Sequence, residues 1–344
     1  MPILKSSFTP PRPLSAASLQ TIMPALLRKP SLRERPHKEI LELADGDFLE
    51  LFWSRPTTQE QTGSQLAILT HGLEGSHQSA YIVGLTRALL HAGCSVLTWN
   101  MRGCGEERNR LRTWYHSGKS DDLRAVVNHA VTKFPNHSLS LIGISVGGNI
   151  VCKYLGEEGA CAPSNITRAV AVSAPLDLEG SAKVLSHPSR SLYMRYLLKP
   201  LRARMREKAQ RFPDYFDISG LESIRTFYEF DIRFTAPTHG FKSVHHYWES
   251  SSGIHFIPHI TVPTLLVSAL DDPFLSPTCF PKSLANSSQL IHLETPQHGG
   301  HVGFVDSFRL KTTWLERRVV EWCKVRGEEI FANGDYVVVP SLRS

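Results

Sequence analysis

The run 138–155, SLSLIGISVGGNIVCKYL, constrains the fold more than any other stretch. SLSLI is apolar enough for a strand buried on both faces, and GNIVCKYL begins a helix. Only Gly143-Ile144-Ser145-Val146-Gly147 stands between them. A strand leading directly into a helix is one unit of a strand–helix alternation, and such alternation implies a mostly parallel sheet with helices as the crossovers. The rest of the chain keeps that rhythm. Short Val-, Ile- and Leu-rich runs occur at 66–70, 95–99, 139–142, 169–173, 264–268 and 290–293. Helical patterns fall between them, one over 80–92 ending at Gly93, another over 121–133 with Leu123, Val126, Val127 and Ala130 on one stripe before Pro135. The runs 39–43 and 48–53 flank Asp45-Gly46, a turn dipeptide, and predict an antiparallel hairpin that opens the sheet. The expected fold class is α/β, a mostly parallel central sheet with helices on both faces.

Composition narrows the setting. Hydrophobic residues are 41% and charged residues 20% of 344, which excludes a disordered or fibrous chain. Lys and Arg number 38 against 32 Asp and Glu, and a net +6 is too mild to imply nucleic acid. Six cysteines lie far apart with no C-x-x-C pair, which points to a reducing compartment and a cytoplasmic protein. The first residues hold no signal-peptide core, and no window approaches the roughly 18 apolar residues of a membrane span.

The expected organisation is a lead-in at 1–37 packing on the body, a main domain at 38–330, and a tail at 331–344. Within the main domain, 176–262 breaks the strand–helix rhythm and reads as a helical cap over the carboxyl edge of the sheet. Residues 193–211 there carry Arg195, Lys199, Arg202, Arg204, Arg206, Lys208 and Arg211, interleaved with Leu197, Leu198, Leu201 and Met205. Such a helix either lies on an anionic membrane or is a solvated helix packing its Leu face on the body.

Gly143-Ile144-Ser145-Val146-Gly147 fits G-x-S-x-G, the turn that presents a nucleophilic serine between strand and helix. Side chains two residues before or after the serine would collide with neighbouring elements, hence the glycines. A serine hydroxyl needs a histidine base, and the base needs a carboxylate, in chain order Ser, Asp, His. Asp272 is the chosen acid, with Asp271 its rival, just past the run 264–268. His301 is the chosen base in Gly299-Gly300-His301-Val302-Gly303, with His298 as the alternative. Two backbone N–H donors are also required for the oxyanion. Val146, after the serine, supplies one. Leu73, within Thr70-His71-Gly72-Leu73-Glu74-Gly75-Ser76, supplies the other, unless that segment is an ordinary glycine-bearing loop.

Other patterns carry less. Arg102-Gly103-Cys104-Gly105-Glu106 fits neither G-x-G-x-x-G nor a Walker A loop, so no nucleotide site is expected. His245, His246, His255 and His259 have no metal-ligand spacing, and neither metal nor cofactor is expected. Tyr115-His116 either lines the pocket or belongs to a surface loop.

Together these residues resemble a known family. Phe8-Thr9-Pro10, Leu19-Gln20-Thr21, the loop from His71 to Ser76, Asn100-Met101-Arg102-Gly103-Cys104, Tyr115-His116-Ser117-Gly118, the serine turn, Asp271-Asp272-Pro273-Phe274 and 299–304 are similar to blocks of the α/β-hydrolase superfamily. The branch they resemble is AB hydrolase 4, with its bacterial YheT-like esterases, and the match spans nearly the whole chain. The resemblance implies a Ser145/Asp272/His301 triad and hydrolysis of small-molecule carboxylic esters with short or medium acyl chains. Some relatives act on phospholipids or transfer acyl groups to alcohol. The eukaryotic lipid-active relatives carry an N-terminal membrane anchor that is not seen here, which argues against integral-membrane phospholipase work. The other readings are an acyltransferase or thioesterase on the same residues, or a non-catalytic scaffold binding a lipid or a partner protein.

Overall fold

The computed structural model describes residues 3–56, 64–308 and 310–324. The expected tail at 331–344 lies outside them. The elements, in chain order, are β1 (Ile3–Leu4), α1 (Ala17–Leu27), β2 (His37–Glu42), β3 (Phe48–Ser54), β4 (Gln65–Thr70), α2 (Ala80–His91), β5 (Ser95–Asn100), α3 (Ser120–Lys133), β6 (Ser138–Ile144), α4 (Val146–Glu158) and β7 (Ile166–Val172). There follow α5 (Leu178–Leu185), α6 (Ser191–Arg211), α7 (Phe227–Phe230), α8 (Ala236–Thr238), α9 (Val244–Ser251), β8 (Thr264–Val267), α10 (Lys282–Ser287), β9 (Ile291–Glu294) and α11 (Trp314–Lys324).

Nine strands form one sheet in the order β1-β9-β8-β7-β6-β4-β5-β3-β2. Those from β4 through β9 pair in parallel and are buried almost throughout, which is why they read as continuous apolar runs rather than alternating ones. The hairpin β2–β3 is antiparallel, and β2, at the edge, alternates exposed and half-buried residues. It does not open the sheet. The lead-in supplies β1, which pairs in parallel with β9 at the opposite edge, Ile3 beside Leu293. A two-residue strand is too short to show in any pattern of alternation.

Two apolar layers cover the sheet. On one face α3 and α4 bury Val126, Val127, Ile150 and Tyr154. On the other, α2 and α11 bury Leu85, Leu89, Val319 and Trp322 together with Phe8 of the lead-in.

Between β7 and β8 the regular elements among the described residues are all helical, from α5 to α9, with a π-helical turn over Asp231–Thr235 joining α7 to α8. The basic stripe of α6 divides by face. Arg204 and Lys208 are buried against the body, and Arg211 donates to the carbonyl of Asn109 (2.8 Å). Arg206 pairs with Glu222, while Arg195 and Lys199 are exposed. Lys208 is fully enclosed, donating to Asn109 Oδ1 and to the carbonyl of Leu111, both at 2.7 Å, and burial lowers its pKa to about 8. A helix whose charges are spent inward in this way is anchored to the body by polar contacts as well as by its Leu face.

Candidate active site

The chain runs from β4 to β5 on one side and then crosses to β6 on the other, so the carboxyl ends of β4 and β6 flank a topological switch point. Thr70 of β4 pairs in register with Gly143 of β6. The loop bearing Leu73 and the turn bearing Ser145 therefore emerge side by side.

Ser145 sits at φ 54°, ψ −121°, between β6 and α4, and its N–H donates to the carbonyl of Val172 (2.8 Å). A residue with a Cβ enters that region only when its surroundings impose it. The two glycines show how. A Cβ on Gly143 would lie 2.2 Å from the carbonyl oxygen of Gly147, and one on Gly147 would lie 2.3 Å from that of Thr70. Backbone passes where side chains would stand.

Ser145 Oγ lies 2.9 Å from His301 Nε2, and His301 Nδ1 lies 2.9 and 3.2 Å from the two carboxylate oxygens of Asp272. The carboxylate fixes the tautomer: Nδ1–H donates to Asp272, which leaves Nε2 to accept from the serine hydroxyl. The Asp272 side chain is fully buried and accepts the Phe274 N–H (2.9 Å), while the Phe274 ring stacks on the imidazole at 4.2 Å. The rival residues form a separate arrangement. Asp271 accepts the Gly300 N–H (2.9 Å) and faces the half-exposed His298 at 3.4 Å.

Leu73 and Val146 both border the same cavity. Around Leu73, the Gly72 N–H donates to Tyr81 Oη (2.9 Å) and the Glu74 N–H to Tyr115 Oη (2.8 Å). The Leu73 N–H has no protein acceptor among the described residues. Val146 is the first residue of α4, where an N–H has no intrahelical partner. Two unspent donors thus flank Ser145.

Several supporting residues escaped the sequence reading. His71 is buried; its Nε2 accepts the Met101 N–H (3.0 Å), so its Nδ1–H donates to the carbonyl of Gly72 (2.7 Å). Burial lowers its pKa to about 4, keeping it neutral. Gln20 is fully buried and bonds both the N–H (2.7 Å) and the carbonyl (2.9 Å) of Val305, while Thr21 Oγ1 accepts the His301 N–H (2.9 Å). Leu19-Gln20-Thr21 belongs to the resemblance, but nothing in its pattern shows what it holds. Tyr115 and His116 both line the cavity, and Tyr115 is buried, so they do not form a surface loop.

The cavity measures about 820 Å³. Its walls are mostly apolar, with Leu185, Leu197, Leu201, Phe230 and Phe274 among them. Ile22, Leu26, Leu192 and Tyr196 line it too while remaining 44, 66, 72 and 69% exposed, which places them at its mouth. A buried carboxylate, Asp231, also lines the cavity; it accepts from Thr235 Oγ1 (2.6 Å) and Trp248 Nε1 (2.9 Å), and burial raises its pKa to about 6. Among the described residues no cluster of three His, Cys, Asp or Glu could hold a metal ion, and no helix is long and apolar enough to cross a membrane.

Residues 68–308 match the family described as alpha/beta hydrolase fold. The Escherichia coli (strain K12) protein YheT, whose name is that of an esterase still to be proven, is 35% identical over 92% of this chain and 93% of its own. The monoacylglycerol lipase of Saccharomyces cerevisiae is 29% identical over 81% of this chain and 63% of its own length. Among solved structures, the Pyrococcus furiosus esterase Pf2001 superposes with a TM-score of 0.56 at 17% identity, covering 84% of this chain and 90% of that one, a likeness of fold. With the strand order, the serine turn and these matches in agreement, the chain belongs to the α/β-hydrolase family, as a YheT-like member.

Proposed function

We propose that the protein is a serine hydrolase of carboxylic esters. Ser145 Oγ attacks the ester carbonyl as His301 Nε2 takes its proton, and Asp272 holds the imidazole and stabilises the imidazolium. The Leu73 and Val146 amides receive the oxyanion, His301 returns the proton to the departing alcohol, and water then deacylates Ser145 by the same route. The observation that carries this reading is the unbroken Ser145–His301–Asp272 hydrogen-bond chain at the wall of an apolar cavity.

The cavity favours short- to medium-chain or lipid-like acyl groups, since about 820 Å³ of mostly apolar space offers little to a strongly polar acid. The test is hydrolysis of p-nitrophenyl esters from acetate to octanoate. Ser145→Ala should lower kcat by about 10⁴ to 10⁶; an unchanged rate overturns the assignment. Adding alcohol or acyl-CoA and analysing products separates hydrolysis from transfer. Free thiols at all six cysteines support a reducing compartment such as the cytoplasm.

The mouth bears on where substrate comes from. Its exposed apolar side chains stand beside the exposed Arg195 and Lys199, which favours delivery from an anionic lipid surface through the outer face of α6. Arg204, turned inward, takes no part. Neutralising Arg195 and Lys199 together should weaken binding to phosphatidylserine-containing vesicles roughly 30-fold, at about 1 kcal/mol per cation. Equal binding by wild type and variant would make α6 a solvated helix.

A further inference from the structure

The loop after β4 is not free to choose its shape. Glu74 is held at φ 52°, a left-handed conformation that a residue with a side chain adopts only under constraint. The constraint comes from another part of the molecule. Arg204 of α6 donates from Nε (2.9 Å) and Nη2 (2.8 Å) to the two oxygens of the Glu74 carboxylate, a bidentate pair whose side chains are 5 and 10% exposed. Its remaining Nη1 donates to the carbonyl of Gly103 (2.8 Å), and its guanidinium lies over the Tyr115 ring at 5.4 Å. Tyr115 closes the circuit, because Oη accepts the Glu74 N–H and donates to Glu74 Oε1 (3.1 Å).

The N–H and both carboxylate oxygens of Glu74 are therefore tied to Arg204 or Tyr115. The residue so tied directly follows Leu73, whose N–H is the unspent one.

We infer that Arg204 is a positioning residue: through Glu74 it sets the Leu73 N–H where the oxyanion forms, so that the seating of α6 governs turnover. This rests on the reading of Leu73 as an oxyanion donor. An amide aimed at developing charge matters most in the transition state, so misplacing it should lower kcat and leave ground-state binding nearly intact.

The test compares wild type with Arg204→Lys and with the double variant Glu74→Gln/Arg204→Met. The double variant removes both buried charges and leaves neither unpaired, so it should fold, as a thermal melt will verify. Lys keeps the charge without the planar fork and should fall between the two. For the double variant kcat should drop about 10- to 100-fold, less than the 10²–10³ of losing a donor outright, with KM within about threefold. A trifluoromethyl ketone of matching chain length, which forms an oxyanion on the serine, should lose affinity by the factor lost in kcat/KM. The corresponding methyl ketone should not.

A folded double variant with wild-type kcat, or one that changes KM alone, overturns the proposal and makes the pair a structural one. Ser145→Ala is run alongside. If it retains turnover, the serine reading fails and this inference with it; if it abolishes turnover while the double variant stays fully active, only the Arg204 proposal fails.

Discussion

At Gly147 the geometry of the nucleophile turn meets a hard limit. The atom that a Cβ would strike, at 2.3 Å, is a backbone oxygen at the end of β4, and β4 is locked between β5 and β6. A neighbouring side chain could rotate away; this oxygen can move only if a central strand does. Gly147→Ala should therefore cost about 3 kcal/mol, the upper end of the usual range for overpacking, and should depress ester turnover even in the fraction that folds. Urea unfolding with a p-nitrophenyl ester assay measures both. Asp231 offers a prediction of a different kind. Burial holds its pKa near 6, and the bonds from Thr235 and Trp248 offset that only in part. Between about pH 4 and 6 the folded protein keeps a proton that the unfolded chain has released, so the stabilisation is fully present below pH 4 and is lost as pH rises through 6. Asp231→Asn removes the dependence, and its stability relative to wild type should improve by on the order of 2–3 kcal/mol between pH 4 and 7, read from denaturant midpoints at the two values. A constant difference would mean that the carboxylate titrates normally.

Among the elements, α1 shows where sequence reading succeeds and where it cannot. The parallel strands were legible because burial on both faces demands apolar runs, and the serine turn because steric exclusion demands glycines. Ser145, Asp272 and His301 are candidates because acyl transfer calls for those residue types and the strand–turn–helix setting for that order, but neither separates Asp272 from Asp271 or His301 from His298; the hydrogen-bond distances do. In α1 the usual pattern is inverted: Leu19, Ile22, Leu26 and Leu27 are exposed, while Gln20 is fully buried. No reading of hydrophobic periodicity places a glutamine in the core, because two of its three main-chain partners, the N–H and carbonyl of Val305, are 285 residues away. The role of Arg204 is hidden for the same reason: its charge is visible in the sequence, but Glu74, 130 residues distant, is not visible as its partner. Gln20→Leu keeps the volume but strands three main-chain groups, the carbonyl of Leu14 and both groups of Val305, each costing about 1–3 kcal/mol where buried. We expect a comparable fall in stability, together with a lower kcat as the segment carrying His301 loosens. Thr21→Val, which removes one acceptor, should show the weaker form of both effects in the same assays.

Across the whole molecule, residues 3–28 close against residues 291–318. β1 pairs with β9, Thr21 holds His301, and Arg28 forms a buried ion pair with Glu316 and donates to the carbonyl of Leu310 (3.0 Å). Both side chains of that pair are almost wholly enclosed, at 6 and 2% exposure. Removing either partner strands a buried charge, so Arg28→Met or Glu316→Gln alone should cost about 3–5 kcal/mol. The double variant should cost clearly less than their sum, a non-additivity that a denaturation cycle of four proteins will measure. If the two losses simply add, the lead-in is held by its other contacts.

This closure has a consequence for synthesis. A ribosome makes Ser145 156 residues before His301, and the loop of Leu73 earlier still. His301 comes late, and the helix carrying Glu316 later yet. Translation proceeds at about 5–20 residues per second, so the nascent protein holds its proposed nucleophile for several seconds or more before the proposed base is made. Until Gln20, Thr21 and Arg28 find partners that are made 280 or more residues later, the proposed serine lacks its proposed base, and a chain that stalls before His301 is made should not become acylated.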